Sequence, residues 1–516
     1  MKKILSTLLA IILVMGLCVP MAISAGAEET ASDVWDGTAN IKWFIDAGGK
    51  DGDNYEIKTA EDFAGLAYLV NASVSDAILK GIYYDADYNV KGYERGPSTY
   101  INDFYQSKVC TSTTGLTRID GYDFNSKIVL LCADMILNEG NAAEWENTAP
   151  ANVWQPIGGG VSNSADRWFG FNGMFDGQGH TVSGLYTSIT TADPATSKIA
   201  CVGLFGIVSQ NQDYPCVENL TVENFFVRGE YLVGGLVGRF NRAGSLANCY
   251  VKNGYVVATK EQAGALVGGV YKGGNTIENC GVDNVTVKSV DYAGGMIGLI
   301  NGQTVDIKDS YTKATVECTA DAGLIVGRSS GGTINLENVY SVVKATATGE
   351  TAKGGVIYAG TGNGGAPSMK IENYYYVKDM TAPAITGEGT EGATEVTLAN
   401  ITGDAAKTTL VGFDFDTVWN TVENGTPIID IREASDDVED EGEDEGENEN
   451  GNENGNENND TTVDETQPSD TSSATDKTTD SEKVENGGCA SSISIASVAV
   501  VALASGAALV IKKKED

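Results

Sequence analysis

From about residue 200 to residue 400 the chain is built of short runs in which apolar and polar positions alternate, broken by Gly, Asn and Asp. Val217 to Val227, Ile277 to Val287 and Ile334 to Val342 are clear examples, and alternation over such lengths predicts strands joined by turns. The runs recur. Gly203-Leu204-Phe205-Gly206, Gly235-Leu236-Val237-Gly238, Ala265-Leu266-Val267-Gly268 and Gly295-Met296-Ile297-Gly298 return about every 30 residues, with weaker copies at Gly323-Leu324-Ile325 and Gly355-Val356-Ile357. A second marker keeps the same spacing: Asn219-Leu220, Asn248-Cys249, Asn279-Cys280, Asp309-Ser310, Asn338-Val339 and Asn373-Tyr374. Strands that recur in one direction, with links too short for crossover helices, wind as a solenoid. The predicted fold is therefore all-β, a right-handed parallel β-helix.

This register assigns faces. The glycines permit sharp turns where a side chain would collide, and Leu236, Leu266 and Met296 fill the interior. Cys249 and Cys280 take equivalent inward positions on adjacent coils. The residue after each inward position points out, which gives the column Thr221, Tyr250, Gly281, Tyr311, Tyr340 and Tyr375. Tyr311, Tyr340 and Tyr375 are expected to form an exposed aromatic ladder, with a gap at Gly281 beside Tyr250. Such a ladder either covers neighbouring strands or offers sugars a platform, so Tyr250, Tyr311, Tyr340 and Tyr375 are the candidate ligand-binding residues.

Helical spacing occurs once before the repeats, from Thr59 to Val70, where Phe63, Leu66, Ala67 and Val70 share a face and Thr59 can cap, with Asp62 three residues on. It is expected to close an open end of the stack, which begins at the strand-like Lys127 to Leu137. Residues 71–120 are Tyr-rich and irregular, and no element is predicted there.

Two longer apolar stretches lie at the ends. Lys2 and Lys3 precede the run Ile4 to Val19, and Ala25 and Ala27 offer a cleavage site, the pattern of a secretory signal peptide. Ser491 to Ile511 is uncharged, long enough to span a bilayer and followed by Lys512, Lys513 and Lys514. A glycolipid-anchor signal is the rival, but such tails end in apolar residues, not in charge. The expected organisation is signal peptide 1–27, cap region 28–120, β-helix 121–432, acidic linker 433–488, transmembrane helix 489–511 and cytoplasmic tail 512–516.

Charge sharpens this picture. The formal net charge is −37. From Ser435 to Glu485 there are twenty Asp and Glu against two Lys, with almost no apolar residues, so this segment is expected to be a disordered stalk. Nucleic acid is excluded as a partner by the same charge. Of the nine cysteines none forms a C-x-x-C pair, which leaves zinc and thioredoxin-type chemistry without support. Cys489, at the membrane boundary, is a candidate for modification.

Chemistry is sparse. With one histidine, His180, the chain cannot supply the two that H-E-x-x-H requires. No G-x-S-x-G elbow accompanies it, and its place after Gly179 suits a surface turn. Asp51 and Asp53 around Gly52 lack the remaining ligands of a calcium loop. Asp283, Asp291, Asp306 and Asp309 are the candidates for a carboxylate pair of a polysaccharide lyase or glycosidase. No cofactor is expected.

The Gly-Leu-x-Gly repeats resemble the GLUG motif of bacterial surface proteins, including the non-catalytic repeat regions of immunoglobulin A peptidases. Trp35-Asp36-Gly37, Ile57 to Ala67, Trp154-Gln155-Pro156-Ile157-Gly158 and Phe175 to Leu185 resemble the usual opening of such proteins, and Phe413 to Trp419 with Pro427-Ile428-Ile429 their closing segment. The resemblance implies a surface location and the β-helix. The expected function is a non-catalytic surface protein that contacts an extracellular glycan or a host or cell-surface ligand and is held to the membrane by its C-terminal helix. The alternatives are a surface polysaccharide-degrading enzyme and a passive envelope protein.

Overall fold

The alternating runs form strands. The computed structural model describes residues 34–430 apart from 74–77, 98–100, 160–169, 191–200, 210–215, 243 and 387–389. Its longest strands are Val217–Gly229, Ser245–Ala258, Thr304–Cys318, Thr333–Ala347 and Ser368–Thr381. They pair in parallel, one repeat beside the next: Leu220 faces Cys249, Ser310 faces Val339, and Val339 faces Tyr374. This sheet has 14 strands, and two further parallel sheets have six each. One of the smaller sheets contains Val237–Phe240, Val267–Val270, Ile297–Ile300 and Val326–Ser329; the other contains Gln262–Gly264, Tyr292–Gly294, Asp321–Gly323 and Lys353–Gly355. Each central repeat thus gives a strand to all three sheets, and the fold class is all-β with mainly parallel pairing.

Two corners underlie the two sequence markers. The first lies one residue ahead of Gly235, Ala265 and Gly295, so that Gly323 and Gly355 of the weaker copies align with Gly294 and not with Gly295 as the motif suggests. At the first, a Cβ on Gly234, Gly264, Gly294, Gly323 or Gly355 would stand only 1.9–2.1 Å from the carbonyl oxygen three residues on. No side chain fits that approach. These glycines persist through all five repeats, while the next position becomes Ala265 in one copy and Leu324 in another. Leu236, Leu266 and Met296 are fully buried just beyond the corner, as expected.

The second corner is the asparagine marker. Asn219, Asn248, Asn279, Asp309, Asn338 and Asn373 all hold φ between 42° and 61°, a left-handed conformation that Asn and Asp tolerate better than other side-chain-bearing residues. Their side chains stack as a hydrogen-bonded ladder. Asn248 Nδ2 donates to Asn219 Oδ1 at 2.9 Å, Asn338 Nδ2 to Asp309 Oδ1 at 3.0 Å, and Asn373 Nδ2 to Asn338 Oδ1 at 3.0 Å.

The stack starts earlier than expected and ends sooner. Asn54–Ile57 already pairs in parallel with Ile128–Leu131, so residues expected to cap the sheet open it instead. The predicted helix forms at Ala60–Ser73. The Thr59 hydroxyl accepts from the Asp62 N–H at 3.1 Å, and the Asp62 carboxylate accepts from the Thr59 N–H at 3.2 Å. Phe63 packs 4.8 Å from Trp154 and 5.6 Å from Phe175, which fixes the helix on the core. The stretch without a prediction contains a small antiparallel sheet of Leu79–Tyr84, Val90–Arg95 and Thr117–Asp120.

At the far end the last parallel strand is Ala393–Glu395, beside Tyr374–Tyr376. Residues 397–430 then leave the repeats. They form a short turn of helix at Leu398–Ile401, another at Ala405–Thr409, and an antiparallel pair, Trp419–Asn420 with Ile428–Ile429. We refer to this segment as the strap.

The chain divides into two units, Met1–Asp437 and Val438–Asp516, and every described residue belongs to the first. The expected signal peptide, acidic linker, transmembrane helix and tail lie outside the described residues. Among the described residues no helix is long and apolar enough to cross a membrane.

Candidate functional site

The outward column has the expected register. Thr221 faces Tyr250, Tyr250 faces Gly281, Gly281 faces Tyr311, Tyr311 faces Tyr340, and Tyr340 faces Tyr375. Its expected exposure is wrong: Tyr311 is 2% exposed, Tyr340 0% and Tyr375 8%. The strap covers them. Its Ile401, Ala406, Leu410, Phe413, Trp419 and Ile429 form with these three tyrosines a hydrophobic cluster separate from the main core.

The rings are held tightly. Tyr311 and Tyr340 stack at 5.4 Å and 7°, with Trp419 at 6.3 and 5.7 Å from them and Phe413 at 5.8 Å from Tyr375. Tyr340 Oη donates to the Pro427 carbonyl at 2.5 Å, and Tyr375 Oη to the Val411 carbonyl at 3.1 Å. Burial pushes the phenols of Tyr311 and Tyr340 up from their ordinary value, so both stay neutral donors. The expected gap is also closed. A Cβ on Gly281 would stand 2.7 Å from the Tyr311 ring and 2.8 Å from the Tyr250 ring, so the two rings lean in over the glycine.

Tyr250 is the tyrosine of the column that stays half-buried and, with Thr221, reaches a groove. The groove has a volume of about 490 Å³ and is lined by Tyr250, Thr221, Leu220, Asn219, Asn248, Gln178 and Gly179. The asparagine ladder builds its floor. Asn219 Nδ2 donates to Asp176 Oδ1 at 3.0 Å while its Oδ1 accepts from Asn248, so both amides are fixed before any ligand arrives. Gln178 is exposed on a left-handed turn with φ 51° and brings a third amide. The lining side chains themselves, an aromatic ring beside amides and a hydroxyl, offer donors and acceptors and are uncharged, the chemistry that suits a polyol. The Lys252 ammonium lies 5.4 Å from the Tyr250 ring centroid, and the Asp176 carboxylate stands behind the amides.

The four aspartates proposed as a catalytic pair do not converge. Asp283 pairs with Lys313 at 2.6 Å, and Asp306 accepts from Asn335 Nδ2 at 2.5 Å. Asp309 sits at the left-handed corner, where burial raises its pKa and Asn338 bonds it. Asp291 lies elsewhere, beside Glu261, whose pKa is raised by burial and then by Asp291.

A pair not foreseen does form. Asp176 and Glu218 are register partners on adjacent strands. Asp176 Oδ1 accepts from the Gln178 N–H at 2.8 Å as well as from Asn219. Glu218 is pushed up to about 7, by burial first and by the Asp176 charge second. The signal was available: aligning Phe175-Asp176 with Val217-Glu218 ahead of the asparagine marker predicts the meeting.

The other singled-out residues are structural. His180 lies in a turn with Nδ1 3.1 Å from Asp134 Oδ1. Asp53 pairs with Lys127 at 3.3 Å. Among the described residues no group of three or more His, Cys, Asp or Glu could hold a metal ion. Cys249 and Cys280 are free thiols, fully buried, and burial followed by contact with Cys280 raises the Cys249 thiol.

These features define an all-β repeat protein with a lateral groove at one end of an aromatic column. No family model matches the chain, and no curated protein matches it. Among solved structures it is similar to a protein named "putative immunoglobulin A1 protease" from Bacteroides ovatus, with a TM-score of 0.43 and 17% identity over 60% of this chain and 88% of that one.

Proposed function

We propose that this chain is a non-catalytic cell-surface protein of the GLUG-repeat type that binds neutral saccharide in the Tyr250 groove. The observation that carries the reading is the groove itself, where one half-buried ring meets amides already fixed by their own ladder. Three parallel sheets sharing a repeat of about 30 residues support a right-handed parallel β-helix as the finer description of the fold. The signal peptide, the acidic stalk and the apolar run ahead of three lysines support export and membrane anchoring.

A screen of the protein on a panel of printed glycans tests the function. The expected result is binding to neutral oligosaccharides that Tyr250→Ala abolishes while the thermal midpoint holds. Binding that survives Tyr250→Ala puts the ligand elsewhere, and a blank panel favours a passive envelope role. Truncation after Gly488 is expected to release the protein into the medium, and continued cell association would count against the anchor.

A second reading, an enzyme acting on polysaccharide, draws on the Asp176 and Glu218 pair. Glu218, whose proton is retained through burial and the neighbouring Asp176 charge, could serve as an acid beside a second carboxyl. Under it the protein releases new reducing or unsaturated ends from a polysaccharide in the panel and Glu218→Gln does not. Binding without such release leaves the non-catalytic reading standing.

A further inference from the structure

The strap is fastened differently from everything else in the molecule. Among the described residues no backbone hydrogen bond joins 397–430 to the repeats; its backbone bonds run within itself, as from Gly403 to Gly425, from Leu410 to Ala406 and from Asp430 to Val418. The polar ties across the contact are made by side chains: the hydroxyl of Tyr340 to Thr426 and Pro427, that of Tyr375 to Val411, and the Trp419 indole with the Asp309 carboxylate. The apolar ties belong to a cluster that shares no residue with the main core. A segment bonded to itself and resting on a private cluster can open without breaching the sheets.

What lies beneath it is the same column that ends in the groove. Tyr375, Tyr340, Tyr311 and Tyr250 follow one another along the sheet, interrupted by Gly281, over which the rings of Tyr250 and Tyr311 already meet. We propose that the strap is a releasable cover, and that its opening extends the Tyr250 groove into a four-ring platform for a longer neutral oligosaccharide. The proposal rests on the saccharide reading of Tyr250 for its ligand and on the strap's own bonding for its mechanism. Ring hydroxyls that now bond Pro427 and Val411 become available to sugar hydroxyls. Trp419 and Phe413 occupy the places over the rings that sugar would take, so strap and ligand exclude each other.

The test uses the full chain. Hydrogen exchange across a urea series is expected to show the amides of Leu410, Trp419 and Asp430 opening together and well ahead of those in Thr304–Cys318 and Thr333–Ala347. Enzymatic iodination of Tyr311 and Tyr340, mapped by mass spectrometry, is expected to follow that opening, and Trp419→Ala to speed it by about a hundredfold. The same variant is expected to hold printed hexose and N-acetylhexosamine tetramers more tightly than the native protein.

Strap amides that exchange only together with the long strands overturn the proposal, as does an iodination rate that Trp419→Ala leaves unchanged. Faster iodination with no gain in tetramer binding separates the column from the groove and also overturns it. Tyr250→Ala decides the groove independently, because its loss of binding does not require the strap to open. Should Trp419→Ala fail to fold, Tyr340→Phe removes the bonds to Thr426 and Pro427 and carries the same comparison, read as iodination of Tyr311, at roughly fivefold.

Discussion

The glycine corner and the tyrosine face solve one problem, keeping water out of a seam between repeats, in opposite ways. At the corner, backbone lies against backbone so closely that a single added carbon would meet a carbonyl oxygen at about 2 Å, and the solution is copied in five successive repeats, from Gly234 to Gly355. On the tyrosine face the large side chains leave a surface that the repeats do not cover, and a segment of unrelated sequence is laid across it. The corner is rigid because nothing there can move independently. The face is separable because its cover belongs to another part of the chain. Tight repetition therefore supplies stability, while departure from repetition supplies the places where binding can be controlled.

The comparison can be broken most forcefully at the corner. Gly294→Val forces side-chain carbon to within about 2 Å of the Ile297 carbonyl and is expected to destabilise the sheets by about 3 kcal/mol or more, read as a drop in the urea midpoint. A midpoint that holds would mean the corner can open, and the contrast with the face would be lost. The asparagine corner should respond less. Asn338→Ala removes a donor to Asp309, an acceptor for Asn373 and a residue that tolerates φ 52°, for about 2 kcal/mol, and Asn338→Gly should recover the conformational part of that loss but not the hydrogen bonds.

The smallest expected effect is a dependence on pH. Glu218 titrates near 7 when folded, against an ordinary value of 4.5, so the folded state favours its protonated form. Its contribution is at its best below about 4.5 and is lost as pH rises to about 7. The difference in thermal midpoint between the native protein and Glu218→Gln should therefore change across that window and flatten above it. A constant difference would mean that neither burial nor the Asp176 charge holds the Glu218 proton in the folded state.

Much of this architecture was legible because repetition makes the sequence state the same requirement several times. Leu236, Leu266 and Met296 could be assigned to the interior, and Tyr250, Tyr311, Tyr340 and Tyr375 to one column, from spacing alone. The burial of that column was not legible. Thr397 and Asn400 announce a helical turn and Asp414 a tight loop, but these are local signals, and nothing local says which surface Trp419 will cover. The antiparallel sheet near residues 79–120 escaped for a related reason, since its pairing shifts register at Gly81 and Tyr84 and the alternation is interrupted. The groove was half visible. Tyr250 stands out in the sequence, whereas Asn219 and Asn248 register there only as repeat markers, although the amide at the left-handed bend is the same amide that lines the groove.

That amide ladder also has a direction. In both of its runs the hydrogen is passed toward the N-terminal neighbour, from Asn248 to Asn219 to Asp176, and from Asn373 to Asn338 to Asp309. Each run ends on a carboxylate, which receives a hydrogen and has none to hand on. The aspartates act as stop signals in a grammar of otherwise interchangeable units. Asn279 stands between the two runs, keeping the same left-handed bend at φ 53° without entering either, so each run is bounded on its N-terminal side by an acid, and the bend itself does not depend on the ladder.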